Sequence, residues 1–231
     1  MVNPEQDRER EAAADYATYV VEGTHGEIGA QLGERYGTFG PQAAELHPEH
    51  VDFARACRDE VARVYPALVE EIESQAEAAG RSVDDVLWHY CLGVGAPPVQ
   101  VDGGAGAPAE TSQANCSSVG VMTAEGPVIA RNYDFFYFET WRHLVTVKPQ
   151  RALSHTGMWP GLLGGRYDGV NEAGVWVSIH GGGCRPPAKP TPGIVFHLLC
   201  RIVLETCSSA KEAVELLQSV PHIASYNFFI A

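Results

Sequence analysis

The sequence contains no run of about 18 apolar residues, which excludes a transmembrane helix. Its opening residues, MVNPEQDREREAAADY, are polar and acidic and carry no signal-peptide pattern. The six cysteines (Cys57, Cys91, Cys116, Cys184, Cys200 and Cys207) form no CxxC pair and no Cys/His spacing suited to zinc. Lysine is scarce, with only Lys148, Lys189 and Lys211. Positive charge is short overall: 16 Lys and Arg face 29 Asp and Glu, a formal net charge of −13. Nucleic acid and anionic membrane surfaces are therefore poor partners. Neither a repeat nor a low-complexity block is present. The expectation is a soluble cytoplasmic protein with reduced cysteines, no metal and no cofactor.

What is present is ordinary globular composition. With 231 residues and 45% hydrophobic content, the chain can bury a core as one large or two small domains. Residues 17–23 read as a short strand, and Ile28, Leu32 and Tyr36 fall on one helix face. Cys57, Val61, Val64, Leu68, Ile72 and Ala76 predict an amphipathic helix over 53–79, in which Pro66 is either a kink or a new first turn. Ser82 and Asp85 form a capping box for a further helix. Residues 95–115 are rich in Pro, Gly and Ala and read as an exposed linker. Beyond it the pattern turns to β. A hairpin is predicted over 117–122 and 127–132, a strand over 144–148, and a second hairpin over 167–170 and 175–180 with its turn at Asn171–Gly174. Helices over 194–206 and 210–218, the second capped by Ser208 or Ser209, precede a strand over 225–230. The division expected is a helical segment, 1–115, and a β-rich segment, 116–231.

The sharpest feature is Cys116, placed where the linker meets the first strand of the β-rich segment. Were the Asn115–Cys116 bond cut, Cys116 would gain a free α-amine, whose pKa of about 7.7–8 suits a base acting on its own thiol. One residue would then supply nucleophile and base together. The thiol can also make the cut, by attacking the Asn115 carbonyl to give a thioester that water hydrolyses. The next strand ends in Arg131-Asn132-Tyr133-Asp134, and a hairpin returns this tetrad to Cys116. Arg131 can hold the thiol or a substrate carboxylate, and Asp134 can orient the new ammonium. A surface Arg–Asp pair is the alternative.

The pattern C-x(14)-R-N-x-D, the later Gly169-Val170-Asn171-Glu172-Ala173-Gly174 and the early Glu22-Gly23 through Gly33 resemble one family together. It is that of the acyl-coenzyme A:6-aminopenicillanic acid acyltransferases (isopenicillin N acyltransferases). These are N-terminal-nucleophile hydrolases, similar to choloylglycine hydrolases and acid-ceramidase-like amidases. Tyr65-Pro66 with Glu70-Glu71, Cys116-Ser117-Ser118, Arg201 with Leu204-Glu205, and Ser225-Tyr226-Asn227 also carry the resemblance. It implies an α+β fold, an αββα sandwich of two antiparallel sheets between helix layers. It implies self-cleavage before Cys116, with Cys116 as nucleophile assisted by Arg131 and Asp134. Asn227 matches a position that supplies an oxyanion-hole amide. His180 stands where many relatives carry Asn, and an oxyanion donor and a satisfied structural histidine are both open.

The activity expected is cleavage of a linear non-peptide amide through a thioester acyl-enzyme. The partners would be a small-molecule amide or acyl substrate and the chain's own cleaved N-terminal segment. An acyl-coenzyme A-dependent N-acyltransferase shares the same site and is the alternative, disfavoured by the negative charge. An inactive or truncated scaffold is a third reading, since the sequence stops at Ala231 inside a predicted strand. Glu172 reads as a turn residue, Trp141, Trp159 and Trp176 as packing residues, and Gly181–Gly183 as a loop that lines a pocket or lets backbones approach. His89, His143, His155, His197 and His222 carry no assigned role.

Overall fold

The computed structural model describes residues 18–36, 48–91, 115–134, 143–159, 165–180 and 191–231. Strand β1 (Thr18–Gly23) leads into helix α1 (His25–Tyr36). Thr24 starts the helix with a reciprocal cap: its Oγ1 accepts from Glu27 N at 3.2 Å, and Glu27 Oε2 accepts from Thr24 N at 2.7 Å. Pro66 does not kink one long helix. It opens a new one, so α2 (Pro48–Val64) ends before Tyr65 and α3 (Pro66–Ala78) begins after it. Proline suits that first helical position because its missing N–H would have no partner there. Ser82 caps α4 (Val83–Cys91) by accepting from Asp85 N at 3.1 Å.

Strands β2 (Asn115–Thr123) and β3 (Gly126–Asp134) form the expected hairpin, its turn opened by Gly126 at φ +117°. The remaining strands are β4 (His143–Pro149), β5 (His155–Trp159), β6 (Asp168–Asn171), β7 (Trp176–His180) and β8 (Asn227–Ile230). Helices α5 (Phe196–Thr206) and α6 (Ala210–Ser219) lie between β7 and β8 in sequence. Ser209, of the two serines considered, is the cap of α6.

The larger sheet has six strands in the order β1-β4-β5-β6-β7-β8. It is mixed rather than antiparallel throughout, because β1 runs parallel to β4 while the other neighbours are antiparallel. The second sheet is the β2–β3 hairpin alone among the described residues. The two-sheet expectation is thus met in outline only. Side chains alternate across the large sheet. Gly169 meets Leu204 of α5 on one face, whereas Asp168 and Ser178 meet the hairpin on the other. The order of layers is helices, six-stranded sheet, hairpin. Val119, Val121 and Val128 on the hairpin are about half exposed.

Strand β5 was not foreseen, and Gly157 explains both its presence and its faint signal. A Cβ there would lie 2.1 Å from the Asp168 carbonyl oxygen, so β5 and β6 approach only because this position has no side chain. Gly29 does the same between helices. Its Cβ would lie 2.2 Å from the Glu71 carbonyl oxygen, and one at Gly33 would lie 2.5 Å from that of Gln75. Small residues at this spacing let α1 settle against α3.

That contact seats a buried charge network. Arg201 of α5, with no exposed side-chain surface, donates to Glu71 of α3 through Nη1 (3.0 Å) and Nη2 (2.6 Å) and to Glu205 through Nε. Glu205 also accepts from Tyr65 (2.6 Å) and lies 2.8 Å from His25 Nε2 and 3.2 Å from His155 Nε2. Burial opposes ionisation of Glu205, but Arg201, His155 and His25 hold its carboxyl well below the ordinary range. Burial, with the Glu205 charge, pushes the Tyr65 hydroxyl up. Burial also lowers His155 and His197 to about 3 and Arg166 to about 9.

Two outcomes follow from this packing. Gly29→Ala is expected to lower stability by about 1–3 kcal/mol through overpacking, measured by urea denaturation. The second concerns acid. His155 and His197 stay neutral when folded but protonate when unfolded, so the unfolded state takes up more protons below about pH 6.5. Stability is complete above that value and falls as pH drops toward 3, by up to about 1.4 kcal/mol per pH unit for each histidine. Glu205 adds to the loss below its ordinary range, near pH 4.5. His155→Gln, which keeps a donor for Glu205, should give a shallower slope of urea midpoint against pH between 7 and 5. An unchanged slope would contradict this account.

Candidate active site

Cys116 enters the site as the second residue of β2, paired in register with Tyr133, and Asn115 pairs with Asp134. The hairpin register places Arg131 opposite Ser118, two positions along β2 from Cys116 and on the same face. This is why the spacing C-x(14)-R brings the two together.

Arg131 Nη2 lies 3.7 Å from Cys116 Sγ and donates to Ile179 O at 2.7 Å. Its Nη1 is paired with Asp168 Oδ2. The Arg131 side chain is 5% exposed, so it is clamped beneath the thiol rather than presented to solvent. Of the two roles read for it, holding the thiol fits this geometry. A guanidinium in contact with sulfur can offset negative charge that develops there during attack. Asp168 in turn accepts from Met158 N at 3.3 Å, which ties the clamp to β5. Asp168 is the site residue that sequence reasoning missed. Its only local signal is an acid just before the Gly169–Gly174 motif, and its partner is 37 positions away.

His180 closes the other side of Cys116, with Nδ1 3.3 Å from the Cys116 carbonyl oxygen. Its Nε2 lies 2.9 Å from Ser118 Oγ. Asn227 pairs across the β7–β8 ladder with His180, which puts it one strand away on the sheet edge, exposed. The structure therefore joins Cys116, Arg131 and His180 directly and sets Asn227 next in register. The Asp134 side chain, Trp141, the Trp159 side chain, the linker up to residue 114 and Gly181–Gly183 lie outside what is described. Trp176 is part of the cluster, donating from Nε1 to Ser178 Oγ at 3.3 Å. Glu172 behaves as the turn residue expected: it accepts from Ser154 N at 3.1 Å, and Asn171 Oδ1 receives Ala173 N and Val175 N.

Cys116 differs from the other described cysteines. Cys57, Cys200 and Cys207 are buried, as expected, and Cys116 is half-buried. Burial pushes the Cys200 thiol up, which keeps it protonated and inert. Among the described residues no group of three or more His, Cys, Asp or Glu could hold a metal ion. None of the described helices is long and apolar enough to cross a membrane. Arg131→Gln removes a charged contact to sulfur worth about 1.5–3 kcal/mol, so alkylation of Cys116 by iodoacetamide should slow about tenfold or more. Peptide mapping of the alkylated thiol measures it.

No curated protein matches the chain. The matching family model is described as acyl-coenzyme A:6-aminopenicillanic acid acyl-transferase and covers residues 121–231. That stretch starts just after Cys116 and takes in Arg131, Asp168, His180, Arg201, Glu205 and Asn227. Residues 121–231, which hold the thiol's clamp and most of the large sheet, thus match the acyl-coenzyme A:6-aminopenicillanic acid acyl-transferase family, the one that the motifs resemble.

Proposed function

We propose that the protein is a self-processing cysteine hydrolase that cleaves linear non-peptide amides through a thioester at Cys116. The observation that carries this reading is the buried Arg131 guanidinium against Cys116 Sγ, held by Asp168 and Ile179 O. A structural cysteine needs no such clamp.

In the first stage the Cys116 thiol attacks the Asn115 carbonyl carbon. The C–N bond breaks as the nitrogen takes a proton, leaving Asn115 as a thioester on sulfur. Water then cleaves the thioester, giving an Asn115 carboxylate and a Cys116 with free thiol and free α-amine. In the second stage that α-amine takes the thiol proton as sulfur adds to the substrate amide carbonyl. Asn227 and backbone N–H groups stabilise the oxyanion, each donor typically worth about 2.7–4 kcal/mol. The α-ammonium returns its proton to the leaving amine as the C–N bond breaks. Water, activated by the α-amine, resolves the thioester and sulfur regains its proton. Asp134, at the end of β3 opposite Asn115, would orient the ammonium.

A second reading, transfer of an acyl group from acyl-coenzyme A to an amine, is favoured by the family description itself. Thioester formation at Cys116 is common to both, and they differ in acyl donor and final acceptor. The net charge of −13 disfavours the phosphates of coenzyme A, which ranks this reading second.

Intact mass spectrometry of the purified full chain tests the proposal. The expected result is two chains, 1–115 and 116–231, with turnover of linear N-acyl amides. Cys116→Ala should remain one chain and inactive. A Cys116→Ala chain that stays single and turns over substrate at the full rate would overturn it. Comparing amide with thioester donors separates the two readings.

A further inference from the structure

We propose that Trp176, Ser178, Ser118 and His180 form a one-way hydrogen-bonded chain that fixes His180 as its Nδ1–H tautomer and so holds the carbonyl of Cys116. The proposal rests on the amide-cleavage reading only in calling Cys116 the nucleophile. It assigns His180 a role other than either considered from sequence.

The two ends set the direction. The Trp176 indole N–H can only donate, and it lies 3.3 Å from Ser178 Oγ. The Cys116 carbonyl oxygen can only accept, and it lies 3.3 Å from His180 Nδ1. Nδ1 must therefore carry a hydrogen. In the uncharged ring Nε2 is then an acceptor, and Ser118 Oγ, 2.9 Å away, is its donor. Ser178, having accepted from Trp176, turns its own hydrogen toward this pair. It lies 3.5 Å from Ser118 Oγ and 3.3 Å from His180 Nε2. Ser178 is fully buried, which leaves its hydroxyl hydrogen these partners rather than solvent. The order of donors and acceptors from Ser118 to the Cys116 carbonyl follows from groups that cannot reverse, and the Ser178 hydrogen has Ser118 Oγ or His180 Nε2 as its partner.

The consequence falls on the nucleophile. A ring whose Nδ1–H already serves the Cys116 carbonyl, and whose Nε2 already accepts, is neither a spare oxyanion donor nor a free base. It is a positioning residue that acts through the backbone of Cys116. Arg131 holds the sulfur, His180 holds the carbonyl side, and the Asn115–Cys116 bond lies on the side that neither touches. Cutting that bond leaves both restraints in place. Ser118, two residues after the nucleophile, selects the tautomer. In its absence the hydroxyl left at Nε2 is that of Ser178, 3.3 Å away, which can accept a second hydrogen as well as donate, so the ring can turn its only hydrogen to Nε2 and release the carbonyl.

Nitrogen-15 NMR of histidine-labelled full-length protein, with the His180 signals assigned by their loss in His180→Asn, tests the tautomer directly. The expected ring is Nδ1–H in the unsubstituted protein and shifts toward Nε2–H in Ser118→Ala. A kinetic arm uses iodoacetamide alkylation of Cys116. Ser118→Ala should slow it about tenfold, the loss of roughly one hydrogen bond. The amide of His180→Asn can still reach the Cys116 carbonyl but has no tautomer to select, so in that background Ser118→Ala should slow alkylation less than about twofold. An Nε2–H ring in the unsubstituted protein, or a Ser118→Ala effect of the same size in both backgrounds, would overturn the proposal. Neither measurement depends on amide turnover, so the chain can fail while the amide-cleavage reading stands, and the reverse.

Discussion

The fold depends on Arg201. Its guanidinium is wholly enclosed, and it binds Glu71 and Glu205 at once. Through those carboxylates it gathers α3, the Tyr65 junction, α1 by way of His25, and β5 by way of His155. An ion pair in this setting contributes little net stability over an apolar substitute, because two charges must leave water. Losing one partner is another matter, since it strands a buried charge at a cost of about 3–5 kcal/mol. The network therefore acts as a requirement of geometry. Helices from the first half of the chain reach the sheet in one arrangement, the one that completes these bonds.

The site uses the same logic with fewer groups. Asp168 and Arg131 form a second enclosed pair, and the guanidinium's Nη2 meets both Ile179 O and Cys116 Sγ. Rigid β-ladders carry every member: β2 and β3 bring thiol and cation, β6 brings the carboxylate, and β7 brings the Ile179 carbonyl and His180. Under the proposed function, preorganisation of this kind lowers the cost of aligning Cys116, because nothing has to be ordered at the moment of reaction.

Much of this was legible in the sequence, and the limits have physical causes. Hairpin registry follows from alternation and a turn, so Cys116 and Arg131 could be placed together before any coordinates. Helix starts were readable where a cap is local, as at Ser82 and Ser209, and Thr24-x-x-Glu27 carried the same signal unread. Pro66 left two outcomes open because a proline alone does not say whether the preceding turn continues. Asp168 was hidden since nothing local marks an acid that pairs across two sheets. Arg201 and Glu71 stand 130 positions apart, and hydropathy scores both as surface residues. The parallel partner of β1 was equally out of reach, because strand direction in a crossover is set by the helices between.

The enclosed charges have an electrical consequence. Among the described residues, the enclosed side chains of Arg131, Arg166 and Arg201 accompany those of Asp168, Glu71 and Glu205, formally three against three, so this set adds nothing to the net charge of −13. Dissolved ions screen outer charges within about 8–10 Å and reach enclosed pairs far less. Ionic strength therefore governs how molecules repel one another and barely touches the bonds that surround Cys116.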